Sequence, residues 1–318
     1  MKVIDILRTA AKPFASFELV PPLKGSDVAR LYESLDPLMA FKPPFINITC
    51  HRDEVEYVPN ADGTFTKMTL AKRPGTVAIV AAIMRRYPQI EIVPHVICGG
   101  ASRSKIESEL LDLHFLGIQN VLALRGDAMP GTSRFVAERD GHAHAEQLVE
   151  QIINMNNGKF IDGEPDTSHN TDFCIGVAGY PEKHVESPNY LTDMGYLKQK
   201  VDAGAEYIAT QICYDADKII AFRDKCAEIN INVPILPGLK PFASKTQLTV
   251  LPQTFAVDLP QELVDRVVRC KNNDDVKQVG IEWAIQMGEK LQKAGFPVLH
   301  FYTMTRTEQV QQIVKALM

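Results

Sequence analysis

Eight short runs rich in Val, Ile, Leu and Phe recur along this chain, and their spacing limits the folds open to it. They are "FASFELV" (14–20), "FINITC" (45–50), "EIVPHVIC" (91–98), "NVLALRG" (120–126), "FCIGVAGY" (173–180), "EYIATQICY" (206–214), "VPILPGL" (233–239) and "VLHFYT" (298–303). Continuous apolar runs, rather than strict alternation, mark strands buried on both faces of a parallel sheet. The segments between them read as amphipathic helices. Examples are "SDVARLYESLDPLMA" with Ser26 as its N-cap, "ASRSKIESELLDLHFLG" stopping at Gly117, and "DADKIIAFRDKCAEIN". Eight β–α units in 318 residues predict an α/β chain folded as a single (β/α)8 TIM barrel, with 1–318 as one domain. An open doubly wound sheet is the alternative. No G-x-G-x-x-G follows the first strand and no P-loop occurs, so the nucleotide fingerprints of open sheets are missing.

Composition narrows the function classes. The net charge is -5 and no basic block occurs, which argues against nucleic acid and against an anionic membrane surface. The apolar runs stop well short of the ~20 residues that cross a bilayer. The start, "MKVIDILRTAAKPF", has no long apolar core and carries an early acid, so a cytoplasmic protein is expected. The six cysteines form no C-x-x-C pair and read as reduced structural thiols in a reducing compartment. His142 and His144, in "GHAHAE", have no third ligand in view, so they read as solvent-exposed and no metal is expected. Trp283 lies on the apolar face of "IEWAIQMGEKLQ" and reads as core. Two long polar connections remain, 51–75 and 156–172. The first follows a strand, on the side where barrel enzymes build their sites; the second precedes one and reads as a decorative loop.

Polar groups gather at the C-terminal ends of these runs: Glu18, Thr49, His95, Asp127, Tyr180, Gln211 and the segment from Tyr302 to Arg306. In a barrel these ends converge on one face. Glu18, alone in an apolar run that Pro21 and Pro22 end, is open to two readings: half of a structural ion pair, or a proton donor or ligand. "ALRGD" at 123–127 is by itself an Arg–Asp pair at a turn with Gly126 supplying unusual backbone angles.

These stretches do not stand alone. "SFELVPP", "VPHVIC", "LALRGD", "VAGYPEKH", "LKQKVDAGAEYIATQICYD", "ILPG" and "HFYTMTR" occur in order. Together the set resembles the methylenetetrahydrofolate reductase family, its catalytic barrel in the short bacterial-type form, from about Phe14 to the C-terminus. The resemblance implies a barrel that binds FAD without a Rossmann motif. It also implies reduction of 5,10-methylenetetrahydrofolate to 5-methyltetrahydrofolate by a ping-pong route, with NADH, or NADPH, as electron donor. It implies Glu18 as the general acid and Asp127 as the second catalytic carboxylate, near flavin and folate. Thr49, His95, Arg125, Gly126, Asp127, Ala145, Tyr180, His184, Asp193 and Lys200 match flavin-contacting positions. Glu18, Gln211, Gln247 and Arg306 match substrate-contacting positions. A homo-oligomer is expected, and no C-terminal regulatory domain.

The residue types suit that chemistry. Protonation at N10 opens the folate's five-membered ring to an N5 iminium cation, which then accepts a hydride. A carboxylic acid can give that proton if its apolar strand and the nearby Asp127 raise its pKa toward neutrality. A second, ionised carboxylate suits the cation. Arg125 and Lys200 suit a diphosphate. Four positions depart from the family pattern: His144 for a frequent tyrosine, Cys213 for an aromatic residue, Lys240 for an apolar one and Thr305 for an asparagine. The 156–172 loop is also longer than the pattern expects. The rival readings are another folate-dependent barrel enzyme such as a methyltransferase, an aldolase, or a non-catalytic subunit that binds flavin or folate. An aldolase needs a strand-end Schiff-base lysine, which none of the runs clearly carries, and a non-catalytic subunit has no need of Glu18.

Overall fold

The computed structural model describes residues 1–318 apart from 130, 133, 164–169, 305 and 306, and apart from the side chain of 304. Its elements follow the β–α rhythm. They are α1 (Val3–Thr9), β1 (Phe14–Leu19), α2 (Val28–Met39), β2 (Phe45–Ile48), β3 (Glu54–Pro59), β4 (Phe65–Leu70), α3 (Thr76–Arg86), β5 (Glu91–Ile97), α4 (Arg103–Phe115), β6 (Asn120–Leu124), α5 (Ala145–Asn156), β7 (Cys174–Gly179), α6 (Tyr190–Asp202), β8 (Tyr207–Thr210), α7 (Ala216–Glu228), β9 (Ile235–Leu236), β10 (Gly238–Leu239), α8 (Gln247–Phe255), α9 (Gln261–Arg269), α10 (Asn273–Lys293), β11 (Val298–Met304) and α11 (Glu308–Leu317).

The main sheet runs β10-β11-β1-β2-β5-β6-β7-β8-β9, with parallel pairing throughout. Its two ends, β9 and β10, are successive halves of one strand broken at Pro237. Ile235 and Leu236 pair with β8, while Gly238 and Leu239 pair with β11. Proline has no N–H to give to either neighbour, but its carbonyl still accepts from His300 N. The chain itself therefore joins the two ends, and eight strands close as a barrel. Gly238 is needed at that junction. A Cβ there would stand 2.4 Å from the Thr210 carbonyl and 2.5 Å from the Tyr302 ring, because Tyr302 reaches across to donate its hydroxyl to the Thr210 carbonyl at 2.6 Å.

Most apolar burial lies between the outer faces of the strands and the helix ring, where Phe17, Leu19, Ile46, Ile48, Val121, Val177 and Phe301 meet helix residues such as Leu35, Ile83, Leu110 and Ile152. A second cluster fills the N-terminal end of the barrel. There α1 inserts Val3, Ile4, Ile6 and Leu7 against Phe45, Val93, Leu122, Cys174, Tyr207, Leu236 and Val298. Asn120, fully buried at the start of β6, fixes this plug by accepting from Val3 N at 2.7 Å and donating to the Met1 carbonyl at 3.0 Å.

Three local expectations change. The α2 N-cap is Asp27, not Ser26: its carboxylate accepts from Ala29 N and Arg30 N, and a negative cap also suits the helix dipole. The 51–75 connection is not featureless, since β3 and β4 pair as an antiparallel hairpin from Glu54↔Leu70 to Pro59↔Phe65. His142 is buried rather than solvent-exposed, with Nε2 2.6 Å from Gln151 Oε1, while His144 is exposed. The chain leaves α4 through Gly117 at φ +82, as the sequence indicated, and Ser102 caps its start. Trp283 is half-buried in α10 and donates to the Tyr214 carbonyl at 2.9 Å.

Leu7→Ala empties part of the plug without touching the helix ring. It should lower the unfolding free energy by about 2–5 kcal/mol in urea titrations, the range for a buried leucine. A cost under about 1 kcal/mol, the level of a generic surface change, would show that α1 is not part of the cooperative core.

Candidate active site

The barrel interior changes character along its axis. Above the apolar plug, Ser16 and Glu18 on β1, Asn47 on β2, His95 on β5 and His300 on β11 meet inside. Glu18 and His95 touch although β2 lies between their strands, so both side chains point into the barrel. Ser16 Oγ lies 2.8 Å from His300 Nδ1. Glu18 Oε2 lies 3.4 Å from His95 Nε2 and 3.9 Å from His300 Nε2. Asn47 Nδ2 is 3.5 Å from His95 Nε2. The longer of the two Glu18 contacts is a dipole or ion-pair distance, beyond hydrogen bonding, and His300 Nε2 has no hydrogen-bond partner among the described residues.

Glu18 is 13% exposed. Desolvation pushes its carboxyl up, but the facing His300, the charges of His95 and His300, and the Lys240 ammonium outweigh it, so the group is held below the ordinary glutamate value. The expectation of a carboxyl raised toward neutrality is therefore overturned. Burial drives His95 the other way, down to about 4, with Glu18 opposing. His95 is then neutral at pH 7 and offers the carboxylate only a ring dipole. The facing His300 ring and the Lys240 ammonium remain to hold Glu18 below the ordinary glutamate value.

Around the rim lie the positions matched to a flavin. Thr49 follows β2, and its buried Oγ1 has no partner among the described residues. Arg125, just past β6, grips Glu186 with both nitrogens, at 2.6 and 2.9 Å, and lies 4.8 Å from the Phe135 ring. Gly126 turns the chain at φ +84 beside Ile97. Tyr180 follows β7, and its ring meets His184 edge-on at 4.8 Å. Asp193, on α6, accepts from the Ser187 hydroxyl at 2.6 Å and from His184 N at 3.2 Å. Lys200, in the last turn of α6, is buried, points at the Tyr180 ring from 5.9 Å and bonds the Ala178 carbonyl. Burial lowers it to about 8, with Asp193 and Glu146 opposing, so it is not the solvated helix lysine its sequence setting allows. Ala145 opens α5. These residues face one another: Arg125, Glu186, Asp193 and Lys200 all bear on the ionisation of His184.

Asp127 is exposed at the rim. Its charge and that of Glu18 both bear on His51, which places the two acids at one mouth. Gln211 accepts from Ile212 N at 2.8 Å through its side-chain oxygen. Gln247 lies further out, where its oxygen caps the turn at Ala243 N and Ser244 N. Arg306 falls outside the described residues.

Four participants escaped the sequence reading. His300 sits within "VLHFYT" and looked like strand filler. Glu186, in "HVESP", carried no mark of an arginine partner. His51 and Arg52 belong to the connection read only as polar. Arg52, 12% exposed, lies 3.4 Å from Glu138 while its Nη1 is buried without a partner among the described residues. The alternation of "VLHFYT" was the one available sign, since it puts His300 and Tyr302 on the face that Ser16 and Glu18 share. All six cysteines are free, and burial raises the thiols of Cys98, Cys174, Cys213 and Cys226 to about 12. Among the described residues no cluster fit to hold a metal ion occurs, and no helix is long and apolar enough to cross a membrane.

Comparisons with known proteins agree with this geometry. The family model described as methylenetetrahydrofolate reductase matches residues 2–318. An Arabidopsis thaliana protein named methylenetetrahydrofolate reductase (NADH) 1 is 33% identical over 96% of this chain and 48% of its own length. A Salmonella typhimurium 5,10-methylenetetrahydrofolate reductase is 29% identical over 95% of this chain and 90% of its own. The chain thus spans about half the length of the eukaryotic relatives it matches. In fold it is similar to a Clostridium thermocellum protein described as binding two copies of 5-methyl-5,6,7,8-tetrahydrofolic acid. That match has a TM-score of 0.57 and 12% identity over 98% of this chain and 96% of the other.

The depressed His95 fixes a pH dependence. Native His95 stays neutral down to about 4, while an unfolded histidine takes a proton near 6.5. The unfolded state therefore binds more protons in that window, and stability falls as pH drops through it. Between pH 7 and 5 the site should cost about 2 kcal/mol, at ~1.4 kcal/mol per pH unit below 6.5. His95→Gln should lack that share in urea unfolding at the two pH values. An equal pH loss in both proteins would sink the assignment.

Proposed function

Because the chain belongs to the methylenetetrahydrofolate reductase family, we propose that it reduces 5,10-methylenetetrahydrofolate to 5-methyltetrahydrofolate, using FAD as its flavin and NADH as electron donor. The observation that carries this reading is a carboxyl, Glu18, enclosed at the barrel mouth beside a rim whose cations suit a diphosphate.

The residues present fit such a cofactor. Lys200 is a buried ammonium whose hydrogen bond, among the described residues, goes to a backbone carbonyl. Arg125 presents a planar fork that a diphosphate can take over from Glu186. Thr49 offers a buried hydroxyl with no partner among the described residues. Arg125 and Lys200 would hold the diphosphate. Thr49, His95, Gly126, Asp127, Ala145, Tyr180, His184 and Asp193 would line the remainder. When bound, the flavin supplies the two-electron transfer from nicotinamide to the folate's methylene carbon.

The chain's own contribution is proton delivery and charge. Glu18 rests ionised, so it must gain a proton before it can give one. Folate entering the mouth removes the water that still reaches the carboxyl, and further desolvation favours its neutral form. The acid then stands where it can protonate N10 and open the ring. Asp127 sets a negative charge beside the cation that results. Gln211 has its oxygen committed to Ile212 N and turns its amide nitrogen to the pterin. Gln247 and Arg306 would hold the outer part of the folate.

Anaerobic stopped flow tests the reading. The flavin-loaded protein is mixed with NADH or NADPH, then separately with methylenetetrahydrofolate. Reduction by the nicotinamide followed by reoxidation by the folate is expected, and a protein that cannot be reconstituted with FAD would overturn the proposal. Glu18→Gln should slow the folate half-reaction by ~10²–10⁴-fold, the usual scale for a lost general acid, while the nicotinamide half-reaction stays within about tenfold. Loss of both together, with a lowered melting temperature, would instead mark Glu18 as structural. Asp127→Asn should slow folate reduction and raise the flavin's reduction potential, since a nearby negative charge opposes electron gain. An unchanged potential would take Asp127 out of the site.

A further inference from the structure

Lys240 is the residue next after β10, and its placement follows from the broken seventh strand. Gly238 pairs with His300 and Leu239 with Phe301. One step further along that register Lys240 comes level with Tyr302, which pairs with Glu18 on β1. Alternation sets Lys240 on the face of Gly238, the face that lies under the Tyr302 ring. Two strand spacings of ~4.8 Å separate the backbones of Lys240 and Glu18, a gap that a lysine side chain can largely close. Lys240 is half-buried beside a small cavity shared with Cys213, Tyr214 and Trp283. Among the described residues, Glu18 is the only carboxylate whose charge bears on it.

The other enclosed cations of the mouth are already engaged. Arg125 has Glu186, Arg52 has Glu138, and Lys200 has the Ala178 carbonyl with Asp193 and Glu146 nearby. Lys240 stands apart as a cation whose opposing charge is the proposed acid. Glu18 is faced by His300 and Tyr302 from β11, by His95 from β5, by His51 from the segment after β2 and by Lys240 from the segment after β10. His95 is neutral at pH 7, and the Tyr302 hydroxyl is spent on the Thr210 carbonyl. Among the described groups that face Glu18, Lys240 is the one lysine; burial lowers its own pKa and the Glu18 charge opposes that.

We propose that Lys240 is a positioning residue for Glu18: its ammonium sets the pH at which Glu18 takes and gives its proton, and so the upper pH limit of the proton-dependent half of the reaction. The second clause rests on the reductase reading; the first does not. The sign is fixed. A cation favours the carboxylate, so removing it must raise the pH at which Glu18 protonates.

The test uses flavin-loaded protein, wild type and the variants Lys240→Met and Lys240→Arg. Glu18 is followed directly by infrared titration of the protonated-carboxyl band that disappears in Glu18→Gln. Lys240→Met should move the midpoint up by about one pH unit, the low end for an opposite charge a few ångströms away. Lys240→Arg, which keeps the charge, should restore it. The alkaline limb of the folate half-reaction should move in the same direction in Lys240→Met. An unmoved midpoint in Lys240→Met overturns the proposal whatever turnover does. An equal shift in Lys240→Arg overturns it too, because the effect would then be one of packing. A wild type with no folate half-reaction would remove the reductase reading and the second clause, while the titration would still decide whether Lys240 governs Glu18.

Discussion

A parallel barrel has no free edge only if every strand finds two neighbours, and in this chain the step from β8 to β11 runs through one residue, Pro237. Pro237 cannot donate to a ladder, so the seventh strand serves β8 before it and β11 after it. Everything at the mouth inherits its position from this join. The Tyr302 ring lies over Gly238 and ties β11 to the Thr210 carbonyl. His300 comes into register with Ser16, and the chain emerging past Leu239 carries Lys240 toward Glu18. A strand running unbroken through this position would put a donor where the structure has only the Pro237 carbonyl. Closure and site geometry are one constraint.

The interior is ordered by the same closure. At the N-terminal end α1 fills the barrel with apolar side chains, which shuts that end to water. Above it the Ser16–His300 pair, Asn47 and His95 form a polar layer, and Glu18 sits at its top. A buried carboxylate is costly unless charges or dipoles compensate it. The layer beneath supplies dipoles and the rim supplies cations. The acid is therefore stable in its ionised form at rest, and any catalytic use of it requires the substrate to change the balance.

How much of this was legible depended on range. The eight strands and the end of α4 were visible because they are written in local pattern: continuous apolar runs, and Gly117 after α4. The strand-end cluster of Glu18, Thr49, His95, Asp127, Tyr180 and Gln211 followed from topology alone, and within it the structure brings Glu18 and His95 into contact. Three features escaped because their causes are not local. The plug is only seven residues long and looks like an ordinary amphipathic start until the barrel gives it a socket. The hairpin β3–β4 leaves Tyr57 and Phe65 exposed, so its sequence lacks the buried face that strand reading relies on. The direction of the Glu18 ionisation depends on His300, which is 282 residues away in sequence and adjacent only across the β1–β11 ladder. An apolar strand by itself argues for a raised carboxyl; the groups that reverse it come from other strands.

On the side of the mouth proposed for the diphosphate, charged groups are held by local partners. Four charged groups, Arg125, Glu186, Asp193 and Lys200, face one another there, and three of them have side-chain partners. Arg125 holds Glu186, and Asp193 takes the Ser187 hydroxyl and the His184 amide. Arg125 is 20% exposed and Glu186 36%, so their pair is screened by water and contributes on the order of 1 kcal/mol or less. A diphosphate offers the same fork two oxygens with more charge, and the exchange costs little. Lys200 differs because it is buried and its pKa is already lowered to about 8. An anion arriving there relieves a desolvated cation and pushes that pKa back up. If the proposed diphosphate binds here, most of its electrostatic gain should come from Lys200, with Arg125 giving direction through its planar geometry and Glu186 released to the rim.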